Sequence, residues 1–593
     1  MERSGYGAPM KSFFFGVVGR LASGGALVLA ASVSELRATS ADDVFEQLAH
    51  AAIEELLITS PETATTLGDH RYDDRLSDHS PAAREAAEKS LRDRLAALAK
   101  IDGAALTGAN RVDAQILRLN LEAAWFELTE ERPHEWNPLY YNRSLADSVY
   151  PFTVREFAPA EQRLQSVIRR LEGFPRVVEQ IKANLKDPPR VHTETSIQQT
   201  AGAVSFVQSG FEDLLQQAPE LRKDFVEAQR KAVAALTEYQ RWLEQDVLPH
   251  ARGEFRLGEV KFRQKLRSQL GSELSLEAIL ARAEQELVST TEALYATAVP
   301  LYRRYFPTAD EAALADRPRV IRAVFDRLAE THANDDTVVE RAREITQAAT
   351  EFVRTHDLVS VPETPLQVVV LPEFQRGVAI AYCEAPGALE PEGETFFLVS
   401  PTPNDWSEAR KLSFFREYND YMLHDLTVHE AMPGHYLQLA HSNRFKAPTL
   451  VRAIWWSGTF VEGWAVYSER VMADAGFGGP EVKMQQLKMR LRAIINAILD
   501  QKVHAGSMTE QEALDLMMQR GFQEEGEAVG KWRRVCQSST QLSSYFVGAI
   551  EHDDMRAAAE QKEGATFNLK SYHDRVLSLG SPAVKYVRQE LGY

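Results

Sequence analysis

His429 and Glu430 stand side by side in DLTVHEAMPGHYLQ (Asp425 to Gln438), and a second histidine, His435, follows six positions after the first. These are the parts of a hydrolytic zinc site: imidazole nitrogens bind the metal, and the carboxylate handles the proton of an attacking water. The usual spacing for such chemistry, H-E-x-x-H, places its histidines about 40° apart on one helix face. A spacing of six turns them roughly 240° apart on a regular helix. Pro433 and Gly434 lie between them. Pro lacks the N–H that a helix needs, and Gly tolerates backbone shapes that other residues avoid. The expectation is a helix that carries His429 and Glu430, breaks at Pro433-Gly434, and lets His435 swing back towards the metal.

Such a site needs a third protein ligand. The segment TFVEGWAVYSERV offers Glu462, with Tyr467 and Glu469 behind it. Glu462 and Glu469 fall about 20° apart on one helix face, so one carboxylate can bind the metal while the other orients a histidine from behind. Two histidines and a carboxylate leave an open position, where zinc polarises a carbonyl and acidifies water. Glu430 would take the water's proton and pass it to the leaving amine. A His-Glu pair arises easily by chance. The break between the histidines and the acidic helix downstream weigh against chance here.

Most of the elements that must position these residues are helical. From Asp42 to His356, segments such as PAEQRLQSVIRRLEGFPRVVEQIKANL carry apolar residues at i, i+3, i+4 and i+7, the stripe of packed amphipathic helices. Between Pro365 and Ser400 the pattern changes to short β-branched and aromatic runs, PLQVVVLPEF, GVAIAYCEAP and GETFFLVSP, which predict a small antiparallel sheet. A sheet beside such a motif matters, because an edge strand can hold an extended peptide through its backbone. Helical pattern then resumes, and EARKLSFFREYNDYMLHDLTVHEAM predicts one helix of about six turns. No long linker interrupts the chain. It is expected to form a single mainly α domain over residues 42–593, with the sheet at 365–400, metal-site helices at 407–475 and C-terminal helices at 480–593.

Composition is that of an ordinary globular protein, with 44% hydrophobic and 26% charged residues among 593. The 67 basic and 85 acidic residues leave a net charge of −18, which argues against a nucleic-acid or anionic-membrane partner. Cys383 and Cys536 are the only cysteines, so no disulfide framework holds the fold. At the N-terminus, Lys11 and Arg20 precede the apolar run LASGGALVLAASV and a polar stretch, the order of a secretory signal. The run is shorter than the about 20 residues of a membrane span, and no cysteine follows it to take a lipid anchor. Residues 1–41 are therefore expected to be signal-like or disordered, and the protein exported to the periplasm or beyond, or cytoplasmic if that segment is not a signal.

HEAMPGHYLQ, FVEGWAVYSE, QLSSYFVG and, near the N-terminus, TATTLGDHRYDDRLSD occur in order along the chain. Together they resemble the bacterial family called domain of unknown function 885, over essentially everything after the signal-like segment. That family looks like a relative of the helical zinc peptidases, the thimet-oligopeptidase-like and carboxypeptidase-Taq-like enzymes and angiotensin-converting enzyme. The resemblance implies a large two-lobed helical fold with the sheet beside a deep cleft. It implies His429, His435 and Glu462 as zinc ligands and Glu430 as base. Dipeptidyl-peptidase-III-like enzymes, with one extra residue between their histidines, are a precedent for a widened motif. By position, Tyr545 resembles a tyrosine that stabilises the oxyanion, a role a phenol fills by donating a hydrogen bond; a core tyrosine capping a buried acceptor is the alternative. Asp500 and His504 match a D-x-G-x-H pattern of groups behind the ligands or at the substrate. Lys502 replaces the glycine of that pattern, and Asn496 stands where relatives often carry Arg.

In GDHRYDDRLSD, Asp69, His70, Arg71, Asp73, Asp74 and Arg75 are too polar for a core stretch and could rim the cleft; a helix-capping, salt-bridged turn is the reading favoured. The function expected from these features is zinc-dependent hydrolysis of short peptides. The rivals are a non-catalytic peptide-binding or structural protein with the same fold, and a metallohydrolase of a non-peptide amide.

Overall fold

Helical periodicity in the first half of the chain becomes a stack of helices that each bury one stripe. The structure, a computed structural model, describes residues 40–371, 376, 380–390 and 392–593. The signal-like segment expected over residues 1–41 lies outside the described residues except for Ser40 and Ala41. Residues Ala41–Tyr593 form one compact unit. Its first helix, α1 (Ala41–Thr59), buries Phe45, Ala49, Ala52, Ile53 and Leu57. Further on, α2 (Ala160–Asn184) sets Leu164, Val167, Leu171, Phe174, Val178 and Ile181 against Phe225, Ala228, Ala232, Leu236 and Tyr239 of α3 (Arg222–Trp242) in one apolar cluster. Among the described residues no helix is long and apolar enough to cross a membrane. The chain is mainly α, as its periodicity predicts.

The sheet departs from the expected pattern. Its strands are β1 (Leu366–Val370), β2 (Ala381–Glu384) and β3 (Thr395–Val399), in the spatial order β1-β3-β2. β3 pairs parallel with β1, Val368 opposite Phe397, and antiparallel with β2, Cys383 opposite Phe397. The sheet is therefore mixed, not antiparallel. Burial explains the order: β3 (TFFLV) is the most apolar and most buried strand and takes the centre, while β1 and β2 are the edges. Cys383 and Cys536 are both free.

After the sheet, the expected six-turn helix is two helices, α4 (Glu408–Glu417) and α5 (Asp420–Glu430). Asn419 divides them: its side chain accepts from the backbone N–H groups of Tyr421 and Met422, capping α5. Then follow α6 (His435–Ser442), α7 (Gly458–Asp474), α8 (Gly479–His504), α9 (Glu525–Gln537) and α10 (Gln541–Glu563). α8 runs through the interior, with Met484, Leu491, Ile494, Ile495 and Ile498 in one cluster with residues of α9 and α10. α7 and α10 cross at two glycines. A Cβ on Gly463 would lie 2.4 Å from the Cα of Gly548, and one on Gly548 would lie 1.9 Å from the carbonyl oxygen of Thr459. Only hydrogen fits between them, so the two helices cross backbone to backbone.

Candidate metal centre

The two-residue widening between the histidines is absorbed where α5 ends. The N–H groups of Ala431 and Met432 both point back to the Thr427 carbonyl, and the N–H of Gly434 donates to the carbonyl of Val428 over 2.9 Å. Gly434 is folded so tightly onto the helix end that a Cβ there would sit 1.9 Å from the carbonyl oxygen of His429. The carbonyl of Pro433 accepts from the indole Nε1 of Trp464 on α7 at 2.9 Å. α6 then starts at His435 itself. The outcome is the expected break, with the rings of His429 and His435 4.7 Å apart between centroids and nearly perpendicular, at 86°.

Glu462 of α7 completes the group. Its Oε2 lies 3.6 Å from Nε2 of His429 and 3.5 Å from Nε2 of His435. One ligand atom from each residue fits within 4.8 Å of the others. Bonds of about 2.0–2.1 Å to one tetrahedral zinc would space ligand atoms about 3.3–3.4 Å apart, close to those distances. Behind His429, Glu469 accepts from Nδ1–H at 2.6 Å, which turns Nε2 towards the other two residues, where a metal would take the place of its proton. Glu462 Oε2 and His435 Nδ1 are buried with no hydrogen bond among the described residues. Two imidazoles and a carboxylate, with an orphaned oxygen between them, fit a zinc ion in donor type and spacing.

The electrostatics of the group follow from burial and mutual contact. Burial works to raise the Glu462 carboxyl, but the two imidazoles outweigh it and hold the group well below the usual range. Burial would discharge His429, but its bonds to Glu462 and Glu469 push it up instead. Glu430 is raised by burial, against the pull of His435 and His429. One of its oxygens accepts the backbone N–H of Cys383, on β2, at 3.1 Å. That contact ties the edge strand to the base, and it was not legible in the sequence. Asp425, one helical turn before His429, was also overlooked; it is buried, and burial followed by the Glu469 charge drives it well up. The only sequence signal for it was the i−4 position relative to His429.

The remaining expected residues separate into two groups. Tyr545 stands on α10 one turn before Gly548, and its phenol accepts from Arg534 and Gln541, both at 3.3 Å. Burial and then the nearby charge of Glu462 push its pKa up, which keeps the phenol protonated and able to donate. Tyr467 is turned away into the core, where its hydroxyl donates to Nε2 of His573 at 2.8 Å and its ring packs beside Trp464. Asp500 and His504, expected behind the ligands or at the substrate, hold backbone instead. The Asp500 carboxylate accepts from Thr540 N at 2.8 Å, Ser543 N at 3.0 Å and Ser543 Oγ at 2.6 Å. His504 Nε2 donates to the Val535 carbonyl at 2.7 Å. The pair locks the turn between α9 and α10, in which Thr540 adopts φ +70°. The i, i+4 spacing places them on one face but does not say which backbone that face meets.

GDHRYDDRLSD is partly the solvated turn its composition predicts. Arg71 pairs with Glu54 and Asp69 at the surface. Leu67 and His70, not Arg71, clamp the loop after β2: Leu389 N–H donates to the Leu67 carbonyl at 2.8 Å, and His70, bound to Asp73 at 2.9 Å, reaches Glu390 at 3.5 Å. On the other side of that loop Arg155 donates to Glu384 and to the carbonyl of Ala385. The N-terminal motif thus braces the strand whose N–H holds Glu430.

A family model described as "Bacterial protein of unknown function (DUF885)" matches residues 61–591. A solved structure from Shewanella oneidensis, described as a "putative lipoprotein of unknown function", is 32% identical, with a TM-score of 0.78, and the match covers 93% of this chain and 100% of that one. A second, from Colwellia psychrerythraea and described as a "putative lipoprotein", shares the fold at 18% identity and a TM-score of 0.76, over 94% of this chain and 99% of the other. No curated protein matches.

Proposed function

The chain belongs to that bacterial family of unknown function, and on this premise we propose that it is a zinc-dependent peptidase acting on short peptides. The observation that carries the reading is the convergence of Nε2 of His429, Nε2 of His435 and Oε2 of Glu462 with Glu430 adjacent in sequence to the first ligand. Zinc held by those three residues would supply Lewis acidity to the scissile carbonyl and acidify water. Glu430, raised by burial, takes a proton from the attacking water and hands it to the departing amine. The Cys383 N–H fixes one oxygen of Glu430 and so its orientation. Tyr545 donates its phenolic proton in a hydrogen bond to the oxyanion that develops on the carbonyl. β2, an edge strand tied to Glu430, offers backbone groups along which an extended peptide can lie.

Export to the periplasm or beyond is part of this proposal. It is supported by the apolar run after Arg20 and by the lipoprotein descriptions of the two similar structures.

Elemental analysis of the metal-replete full chain, followed by digestion of a mixed peptide library, tests the function. The expected result is about one zinc per chain, lost in His429→Ala and Glu462→Ala, together with chelator-sensitive cleavage. A folded wild type that takes up no metal would favour a non-catalytic peptide-binding protein. Metal without peptide cleavage would favour hydrolysis of another amide.

A further inference from the structure

Lys488, Arg492, Asn496 and Asp500 follow one another at every fourth position of α8, and all four are buried. That spacing aligns them along one side of the helix. The ends of the line are satisfied: Lys488 and Arg492 share the Glu417 carboxylate at 2.9 and 3.0 Å, and Asp500 holds the turn before α10. The middle is not. Nε of Arg492 and Oδ1 of Asn496 are buried without a hydrogen bond among the described residues.

α9 supplies the opposite wall. Lys531 is 8% exposed and makes no hydrogen bond or ion pair among the described residues. The charges that act on it are Arg534, Arg492 and Glu527, in that order. Glu527 is itself engaged with Arg492 at 3.5 Å. Arg534, one turn from Lys531, donates to the Tyr545 hydroxyl at 3.3 Å. The cations Lys488, Arg492, Lys531 and Arg534 thus outnumber the carboxylates they share, Glu417 and Glu527. A lone ammonium taken out of water costs several kcal/mol, and among the described residues only the Glu527 charge, already shared with Arg492, works to offset it. The missing complement is an anion.

We propose that Lys531, with Arg492 and Arg534, forms a subsite for a carboxylate of the substrate, beside the Tyr545 end of the metal centre. The proposal rests on the peptidase reading and specifies its substrates as peptides bearing a carboxylate close to the scissile bond. That carboxylate is either the free C-terminus or an acidic side chain. Burial, then the like charges of Arg534 and Arg492, brings the Lys531 ammonium down to about 7; a bound carboxylate would hold it charged.

The test is calorimetric binding to the zinc-loaded Glu430→Gln full chain, which needs no turnover. The probes are N-acetyl-Ala-Ala as the free acid, its C-terminal amide, and N-acetyl-Ala-Glu amide. The acid should bind roughly tenfold or more tighter than the amide. Lys531→Met should erase that margin, leave the amide unchanged, and unfold at the same or a higher temperature, because it removes an unpaired buried charge. Should Lys531→Met fail to fold, Lys531→Gln carries the same comparison. Tight binding of the Glu amide through Lys531 assigns the subsite to a side chain, and weak binding assigns it to the C-terminus. Equal weakening of acid and amide, no weakening, or no binding of any probe overturns the subsite. Acid binding through Lys531 without hydrolysis by the wild type keeps the subsite and sinks the peptidase reading; hydrolysis indifferent to Lys531 does the reverse.

Discussion

The Nδ1–H of His429 donates to Oε1 of Glu469 over 2.6 Å, and Glu469 is only 1% exposed. This bond fixes both the tautomer and the tilt of the ring, so Nε2 faces Glu462 and His435. Glu469→Gln keeps the shape but weakens the acceptor. Metal affinity should fall about 10–100-fold while the fold is retained, read by competition against a chelator of known affinity. Unchanged affinity would mean that the ring is oriented by packing alone.

Glu430→Gln separates binding from chemistry. The amide cannot accept a proton, so peptide turnover should fall by about 10²–10⁴-fold or more, with zinc content per chain unchanged. If the metal is lost with the activity, Glu430 is a ligand and not a base.

Tyr545→Phe removes one hydrogen bond to the developing oxyanion. The expected loss is about 10²–10³-fold in kcat, with little change in KM and none in metal content. A change in KM alone would assign the phenol to substrate binding.

The crossing of α7 and α10 sets Glu462, next to Gly463, against Tyr545, one turn before Gly548. A methyl on Gly548 would meet the Thr459 carbonyl at 1.9 Å. Gly548→Ala should force the helices apart, lowering stability by about 1–3 kcal/mol or more, seen in urea unfolding. Because the ligand and the phenol move apart together, kcat should fall further than in a variant of equal stability loss in the α2–α3 cluster.

Asp500 gives a pH signature. Burial lifts its carboxyl to about 6, against hydrogen bonds from Ser543 and Thr540 that pull it down. In the unfolded chain it titrates at about 3.9, so the folded state binds the proton more tightly. Its contribution to stability is full below about pH 4 and is lost as pH rises through about 6. Asp500→Asn cannot titrate, and the fall in stability across that window should flatten by up to roughly 3 kcal/mol. Urea titrations of both proteins from pH 4 to 7 check this; parallel profiles would refute it.

Much of this was legible from one sequence because it is local. His429, His435 and Glu462 are recognised by the donor atoms their side chains carry, and the break at Pro433-Gly434 by backbone chemistry that acts within a few residues. Helical periodicity likewise reports which stripe of each helix is apolar, and mainly α structure follows. The second break, at Asn419, was also available in principle, since a capping asparagine followed by an aspartate is a helix start. The apolar runs on both sides masked it.

What the tertiary structure decided is every relationship between residues far apart in the chain. Glu462 and Glu469 share a helix face in the sequence, but only the packing of α7 against α5 makes one face the metal position and the other support His429. Asp500 and His504 share a face too, and what that face meets is the backbone of the turn into α10. Tyr467 looked like a site residue and is a core hydroxyl bonded to His573. β3 sits between β1 and β2 because it is buried most deeply, which pairwise strand patterns do not encode. The physical reason is common to all of these. Side-chain identity fixes what chemistry a residue can do, whereas the partner it meets depends on how close two backbones can come, and here that was set by hydrogens alone at Gly463 and Gly548.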